Sequence, residues 1–165
     1  MARTAEVGDE TGSAVIGARL VRDVMRLALL LDRRYAPYAT WLGTAFARMP
    51  HPDDLPRHLS DALHAGGAEQ RESALAAAYR ALAVRQNAAA LAPPLDAGTR
   101  AYHSRPAQVL MADRFAEALR ATVTDPGLRA LPLTGSIDQV VDSTAVLADP
   151  QLYRRLAGLY PGLAG

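Results

Sequence analysis

Residues 18–46 read ARLVRDVMRLALLLDRRYAPYATWLGTAF, and this stretch joins a helix to an aromatic corner. Its first half lies in a predicted helix that begins with Ser13 as the N-cap residue and ends near Arg34. Pro37 then opens a second helix that runs to about Met49, because proline is tolerated in the first turn of a helix. The apolar side chains of the first helix follow helical spacing along one face, and they are Ile16, Leu20, Val24, Leu27 and Leu31.

Proline and glycine divide the rest of the chain into further helical segments. The predicted segments are a third helix from about 51 to 66, a fourth over 68–91, a fifth over 106–123, a sixth over about 135–147 and a last one that starts at 149–150. No segment shows sustained β alternation rich in Val, Ile and Thr. We therefore predict an all-α bundle of about six helices in a single domain over 13–160, between a flexible tail over 1–12 and a short C-terminal tail over 161–165.

The composition excludes several kinds of chemistry. The chain has 165 residues, a net charge of +1 and no cysteine, and all 18 basic residues are arginine. Thiol catalysis and lysine Schiff bases are therefore ruled out, and the near-neutral charge gives no reason to expect nucleic acid as a partner. His58, Asp61 and His64 are spaced three residues apart. Side chains at this spacing turn gradually around a helix and do not line up on one face as an i, i+4 pair of metal ligands does, so no metal site is predicted. No apolar run is long enough to cross a bilayer, and the N-terminus lacks the apolar core of a signal peptide, so we expect the cytoplasm as the location.

Arginine and aromatic side chains mark a candidate surface for binding a ligand or a partner. Arg19, Arg22 and Arg26 are three or four residues apart and so share one face of the first helix. They form either a stripe that binds an anion or a partner, or a solvated face opposite the apolar one. The corner adds three aromatic residues, namely Tyr35, Tyr38 and Trp41. Rings with polar tips make good walls for a ligand pocket, although such rings also commonly wedge a tight turn between helices.

A second set of polar residues lies later in the chain. His103 and Arg105 stand where a loop enters the predicted fifth helix, so they serve either acid–base and anion chemistry or the carbonyl groups of the loop. Asp138 and Asp142 are four residues apart and face the same way. They either hold a cation or share acid–base work, or Ser136 caps a helix and Asp138 supports its first turn.

Several short motifs in this order resemble one known family. They are Ala18-Arg19-Leu20 with Arg26, Tyr35-Ala36-Pro37-Tyr38, Trp41-Leu42-Gly43, Gln86-Asn87, His103 with Arg105-Pro106, Asp113-Arg114-Phe115, Gly135-Ser136-Ile137-Asp138-Gln139 and Asp142-Ser143. The chain resembles a helical domain of unknown function that usually lies C-terminal to a nucleotidyltransferase domain in bacterial, often actinobacterial, proteins. It departs from that family at Thr40, where the family has a lysine.

The catalytic signature of a nucleotidyltransferase does not occur in this sequence. Such an enzyme needs a Gly-Ser turn followed by two carboxylates on a strand, because they hold the magnesium ions that bridge the nucleotide phosphates. Gly135-Ser136 matches the first half of this pattern. About a dozen residues later Asp149 supplies a single carboxylate, and the segment around it has a helical pattern.

The resemblance implies a non-catalytic module for substrate recognition or docking, either as the remnant of a longer protein or as a separate subunit. Its expected partners are a nucleotidyltransferase domain or subunit and a small-molecule ligand, and no cofactor is expected. The residues expected to bind the ligand or partner are Arg19, Arg22, Arg26, Tyr35, Tyr38 and Trp41. By analogy with helical domains of antibiotic nucleotidyltransferases, Asp138 and Asp142 join Tyr38 and Trp41 as candidate pocket walls.

Two alternatives remain open. One is a small stand-alone enzyme with His103 as acid or base, Arg105 as an anion clamp and Asp138 or Asp142 as the second proton carrier. The other is a helical dimer that buries its alanine-rich fourth helix. A single pocket shared by His103, Asp138 and Arg26 would favour the enzyme.

Overall fold

The computed structural model describes residues 1–102, 105–131, 141 and 143–159 of the chain. Within these ranges there are nine α-helices, one short 3-10 helix and one two-stranded antiparallel sheet. The elements are α1 (Ala2–Glu6), α2 (Glu10–Leu31), α3 (Ala39–Ala47), α4 (Leu55–Leu63), α5 (Ala68–Ala88), β1 (Arg100–Tyr102), β2 (Arg105–Val109), α6 (Asp113–Thr122), α7 (Pro126–Ala130), α8 (Thr144–Ala148), α9 (Pro150–Arg155) and the 3-10 helix Leu156–Leu159. The predicted all-α class and single domain are confirmed, although short helices bring the number above the six predicted.

The hydrophobic core lies between α2, α4 and α5, and α3 packs against α2. Its largest fully buried apolar side chains are Leu29, Leu55, Leu59 and Leu75. Burying one such leucine stabilises the fold by about 1.5 to 3 kcal/mol. The apolar face predicted for α2 is partly wrong, since Val24 is buried whereas Ile16 and Leu27 are 36% and 38% exposed.

Helix α2 begins earlier than predicted. Asp9 is its N-cap residue, and the Asp9 carboxylate accepts a hydrogen bond from the Gly12 amide at 2.7 Å. The prediction of Ser13 as N-cap is wrong because its fully buried hydroxyl contacts another helix instead. Residues 1–12, predicted as a flexible tail, contain α1 and the first residues of α2.

The buried guanidinium of Arg71 joins helix α5 to the N-terminal part of α2. Arg71 is 4% exposed and donates to the Ser13 hydroxyl at 2.8 Å. Its other terminal nitrogen pairs with the Glu10 carboxylate at 2.6 Å. Gly17 allows this approach, because a β-carbon there would overlap the Cδ of Arg71. A charged side chain is tolerated at this depth because it is paired and hydrogen-bonded.

The predicted fifth helix is wrong over its first part. Residues 105–109 form strand β2 and pair with β1 in a hairpin, and helix α6 starts only at Asp113. The Gln108 amide donates to the Glu72 carboxylate of α5 at 2.8 Å. These tertiary and cross-strand bonds satisfy the backbone in place of helical bonds.

The loop before the hairpin is tied to the end of α5. Both amide atoms of Asn87 bond the backbone of Leu95, with Nδ2 donating to its carbonyl oxygen at 2.7 Å and Oδ1 accepting from its amide at 3.1 Å. At the other end of the chain α9 begins at Pro150, as predicted. The predicted stretch 135–140 and the C-terminal tail 161–165 lie outside the described residues. Among the described helices, none is long and apolar enough to span a membrane.

Candidate functional site

The aromatic corner is shaped by the way helix α2 ends. Arg33 adopts a left-handed backbone conformation with φ of 57°. Its amide bonds the Leu30 carbonyl and the Arg34 amide bonds the Leu29 carbonyl, both at 2.9 Å. This pair of bonds is a Schellman motif, which usually has glycine at the left-handed position. The motif turns the chain sharply and brings residues 35–38 back beside α2.

Tyr38 and Trp41 are linked at the start of helix α3. Tyr38 is the N-cap residue in an extended conformation. The Trp41 indole nitrogen donates to the Tyr38 hydroxyl at 2.9 Å. This hydrogen bond fixes the orientation of the Tyr38 ring. The Trp41 residue that donates it is 54% exposed.

A cavity of about 580 Å³ opens between α2, the corner, α3 and α8. Its lining includes Arg22, Arg26, Tyr35, Pro37, Tyr38 and Leu42. Leu42 is buried and forms part of the apolar floor. We refer to this cavity as the arginine cavity.

The structure brings four of the six predicted ligand- or partner-binding residues to this cavity. They are Arg22, Arg26, Tyr35 and Tyr38. Arg19 lies on the same helix but is exposed outside the lining. Trp41 also lies outside the lining, and its indole nitrogen is hydrogen-bonded to Tyr38, which lines the cavity. The spacing of four residues between Arg22 and Arg26 explains why these two point the same way.

The charge of the arginine cavity is positive among its described lining residues, since they include two arginines and no aspartate or glutamate. Arg22 and Arg26 each also make an interaction within the protein. A guanidinium has five N–H donors, so one group can serve a protein acceptor and a ligand together. Tyrosine hydroxyls at the rim add donors and acceptors beside apolar ring faces. This arrangement suits an anion that carries a ring.

Helix α8 supplies a wall that the sequence did not indicate. Thr144 and Leu147 line the cavity opposite α2. Their short helix has no motif that relates it to the corner, and only the folded chain places it there.

Of the four residues of the enzyme alternative, the structure describes only the position of Arg105 in the backbone. His103, Asp138 and Asp142 lie outside the part of the chain that the structure describes. Arg105 lies in strand β2, paired with Tyr102 in the hairpin register. Within the described ranges, no group of three or more His, Asp or Glu side chains is placed to hold a metal ion.

Comparisons with known proteins find a match in the N-terminal part of the chain. Residues 1–42 match the family described as Domain of unknown function (DUF4037). No curated protein and no solved structure matches the chain. The resemblance to a domain of unknown function is therefore confirmed for the N-terminal part, which contains α2 and the aromatic corner.

Proposed function

We propose that this chain is a non-catalytic recognition module that binds a small anion bearing a ring in the arginine cavity and acts with a nucleotidyltransferase. The proposal rests on the observation that one cavity is lined by two arginines and two tyrosines, namely Arg22, Arg26, Tyr35 and Tyr38. The sequence predicts anion binding for the two arginines and pocket walls for the two tyrosines. Independent signals for charge and for aromatic walls thus converge on one place.

The size and chemistry of the cavity support a small organic ligand. Its volume of about 580 Å³ falls within the range typical of small-molecule sites, about 300 to 1,000 Å³. Guanidinium groups bind phosphate or carboxylate with two parallel hydrogen bonds. The Tyr35 and Tyr38 rings offer faces for a planar part of the same molecule.

The nucleotidyltransferase partner rests on the sequence motifs. The family match covers residues 1–42, and every lining residue contributed by α2, the corner and α3 lies within that segment. A recognition role would let the module present an acceptor substrate to a separate catalytic domain. A partner that uses nucleoside triphosphates favours the cytoplasm as the site of action, and the resemblance favours a bacterial source.

Phenyl phosphate tests the ligand class, with phenol as its uncharged match. Binding is measured by isothermal titration calorimetry and by fluorescence of Trp41, the single tryptophan of the chain. Since a hydrogen bond to a charged group is worth about 1.5 to 3 kcal/mol, Arg26→Ala is expected to weaken phenyl phosphate binding by about ten- to a hundredfold.

Arg19→Ala is the matched control, because Arg19 is an exposed arginine of the same helix outside the lining. It is expected to change the affinity by less than about twofold. Equal losses in the two variants would show binding to the general charge of the helix. Equal affinity for phenol and phenyl phosphate would rule out anion recognition.

The partnership has a separate test. A nucleotidyltransferase encoded beside this chain is expected to co-purify with it and to change its acceptor KM when the chain is added. A neighbouring enzyme that does neither would remove this part of the proposal and leave the ligand class untouched.

A further inference from the structure

A second cavity lies on another side of helix α2, between α2, α5 and the segment from the hairpin to the start of α6. Its volume is about 420 Å³. Leu20 and Leu27 of α2, Leu82 of α5 and Met111 before α6 contribute apolar lining. The polar groups of the lining are Asp23, Tyr79, Tyr102 and Asp113. We call this cavity the acidic groove.

The charge of the acidic groove is opposite to that of the arginine cavity. Its described lining holds two carboxylates and two phenol groups, with no arginine or histidine among them. Asp23 and Asp113 are both exposed, so their carboxylates lie at the rim of the groove. The apolar lining below them includes Leu27, whose partial exposure the core does not explain.

Tyr79 adds a neutral hydroxyl to this groove. Burial, together with the negative charges of Asp23 and Glu72, raises the pKa of Tyr79 to about 12. A phenol that stays protonated both donates and accepts hydrogen bonds.

The backbone at the groove is held in an uncommon conformation. Met111 is left-handed with φ of 55°, a conformation that is unfavourable for a residue with a β-carbon. Leu110 and Met111 both line the groove at this turn. Such strain persists where the surrounding structure requires a particular path for the chain.

We propose that the acidic groove binds an organic ammonium ion, with the charged nitrogen between the rim carboxylates and an apolar ring against the leucines. The rim carboxylates complement the charge of an ammonium group, and the leucines below them complement an apolar ring. Neither the carboxylates nor the leucines alone would select this class of ligand. The Tyr79 hydroxyl accepts a further hydrogen bond from the ammonium group. Helix α2 separates this groove from the arginine cavity, so the two sites take different molecules.

Naphthylmethylammonium is the probe, and naphthylmethanol is its uncharged match with the same ring. Affinities are measured by isothermal titration calorimetry on the full chain. A carboxylate and an ammonium at contact distance attract by about 1 to 4 kcal/mol between bulk water and a protein surface. The ammonium is therefore expected to bind at least about fivefold more tightly than the alcohol.

Asp23→Asn tests the site and Asp61→Asn is its control, because Asp61 is an exposed aspartate of α4 outside the groove. Asp23→Asn is expected to weaken ammonium binding at least about fivefold and to leave alcohol binding unchanged. A loss of fold would weaken both probes equally, and Asp61→Asn is expected to affect neither. Equal affinity for the two probes, or equal effects of the two substitutions, would overturn the proposal. So would the absence of binding, or a stable dimer that closes the groove.

Discussion

Replacing Arg71 with methionine should weaken the fold more than any exposed arginine can. The substitution keeps an unbranched apolar stem and removes the guanidinium. It leaves the Ser13 hydroxyl, which is fully buried, without its donor at 2.8 Å. It also removes the ion pair with Glu10. The Glu10 side chain is half exposed, so in the variant its carboxylate is solvated by water.

The expected loss follows from these two contacts. A buried hydroxyl left without a partner costs about 1 to 3 kcal/mol. The ion pair adds about 0.5 to 1 kcal/mol, because one of its partners is solvated. Arg71→Met should therefore lower the free energy of unfolding by roughly 1.5 to 4 kcal/mol. An ordinary domain has a free energy of unfolding of about 5 to 15 kcal/mol, so this loss is a large share of it.

Urea unfolding followed by far-ultraviolet circular dichroism measures this loss. Arg57→Met is the matched control, since Arg57 is an exposed arginine on α4 that pairs with Asp54 and Asp61. It should cost less than about 1 kcal/mol. A cost for Arg71→Met equal to that of Arg57→Met would refute the reasoning.

A double-mutant cycle gives a sharper test of the same contact. Arg71→Met leaves the Ser13 hydroxyl without a partner, and Ser13→Ala removes that hydroxyl. The double variant should therefore lose about 1 to 2 kcal/mol less free energy of unfolding than the sum of the two single variants. Additive costs would show that this hydrogen bond does not couple the two helices. Gly17→Ala should destabilise by about 1 to 3 kcal/mol, because its methyl group would overlap Arg71.

Three further predictions concern single contacts. The pKa of Tyr79 is raised from 10.0 to about 12, so the folded state keeps this proton longer than the unfolded state. The corresponding stability of about 2 to 3 kcal/mol is present below pH 10 and lost as the pH rises to 12. Urea unfolding across this window should show the loss, and Tyr79→Phe should remove it; an unchanged slope would contradict the assignment. Asp53→Ala should cost about 1 to 3 kcal/mol, because Arg85 donates to both carboxylate oxygens of Asp53 at 2.8 and 3.2 Å, and thermal unfolding that matches the wild type would argue against it. Asn87→Ala should speed proteolysis of the loop before β1, since both bonds to Leu95 disappear, and equal cleavage rates would show that these bonds do not hold the loop.

Helices with their own stop signals were predicted well. The fourth predicted helix, 68–91, corresponds to α5 at Ala68–Ala88, and the last helix begins at Pro150 as expected. In both cases the residues that set the boundary are neighbours in sequence. The Asp149 carboxylate, for example, accepts from the Gln151 amide at 2.8 Å in the first turn of α9.

Boundaries set by distant contacts were predicted wrongly. Serine is a common N-cap residue, yet the Ser13 hydroxyl accepts a hydrogen bond from Arg71 in another helix. The start of the predicted fifth helix failed for a similar reason, because Gln108 bonds Glu72 and its strand pairs in a hairpin. A proline near Arg105 suits a first helical turn, but it suits an edge strand as well.

The sequence by itself determined the helical class and the alignment of Arg22 with Arg26, because helical spacing is a local property. It also placed Tyr35 and Tyr38 within a few residues of the end of α2. Only the tertiary structure decided that these four side chains share a cavity with α8, and that the acidic groove collects Asp23 with residues of α5 and the hairpin. The physical reason is that cavities form between packed surfaces, and the packing partner of each surface depends on the whole chain rather than on its neighbours in sequence.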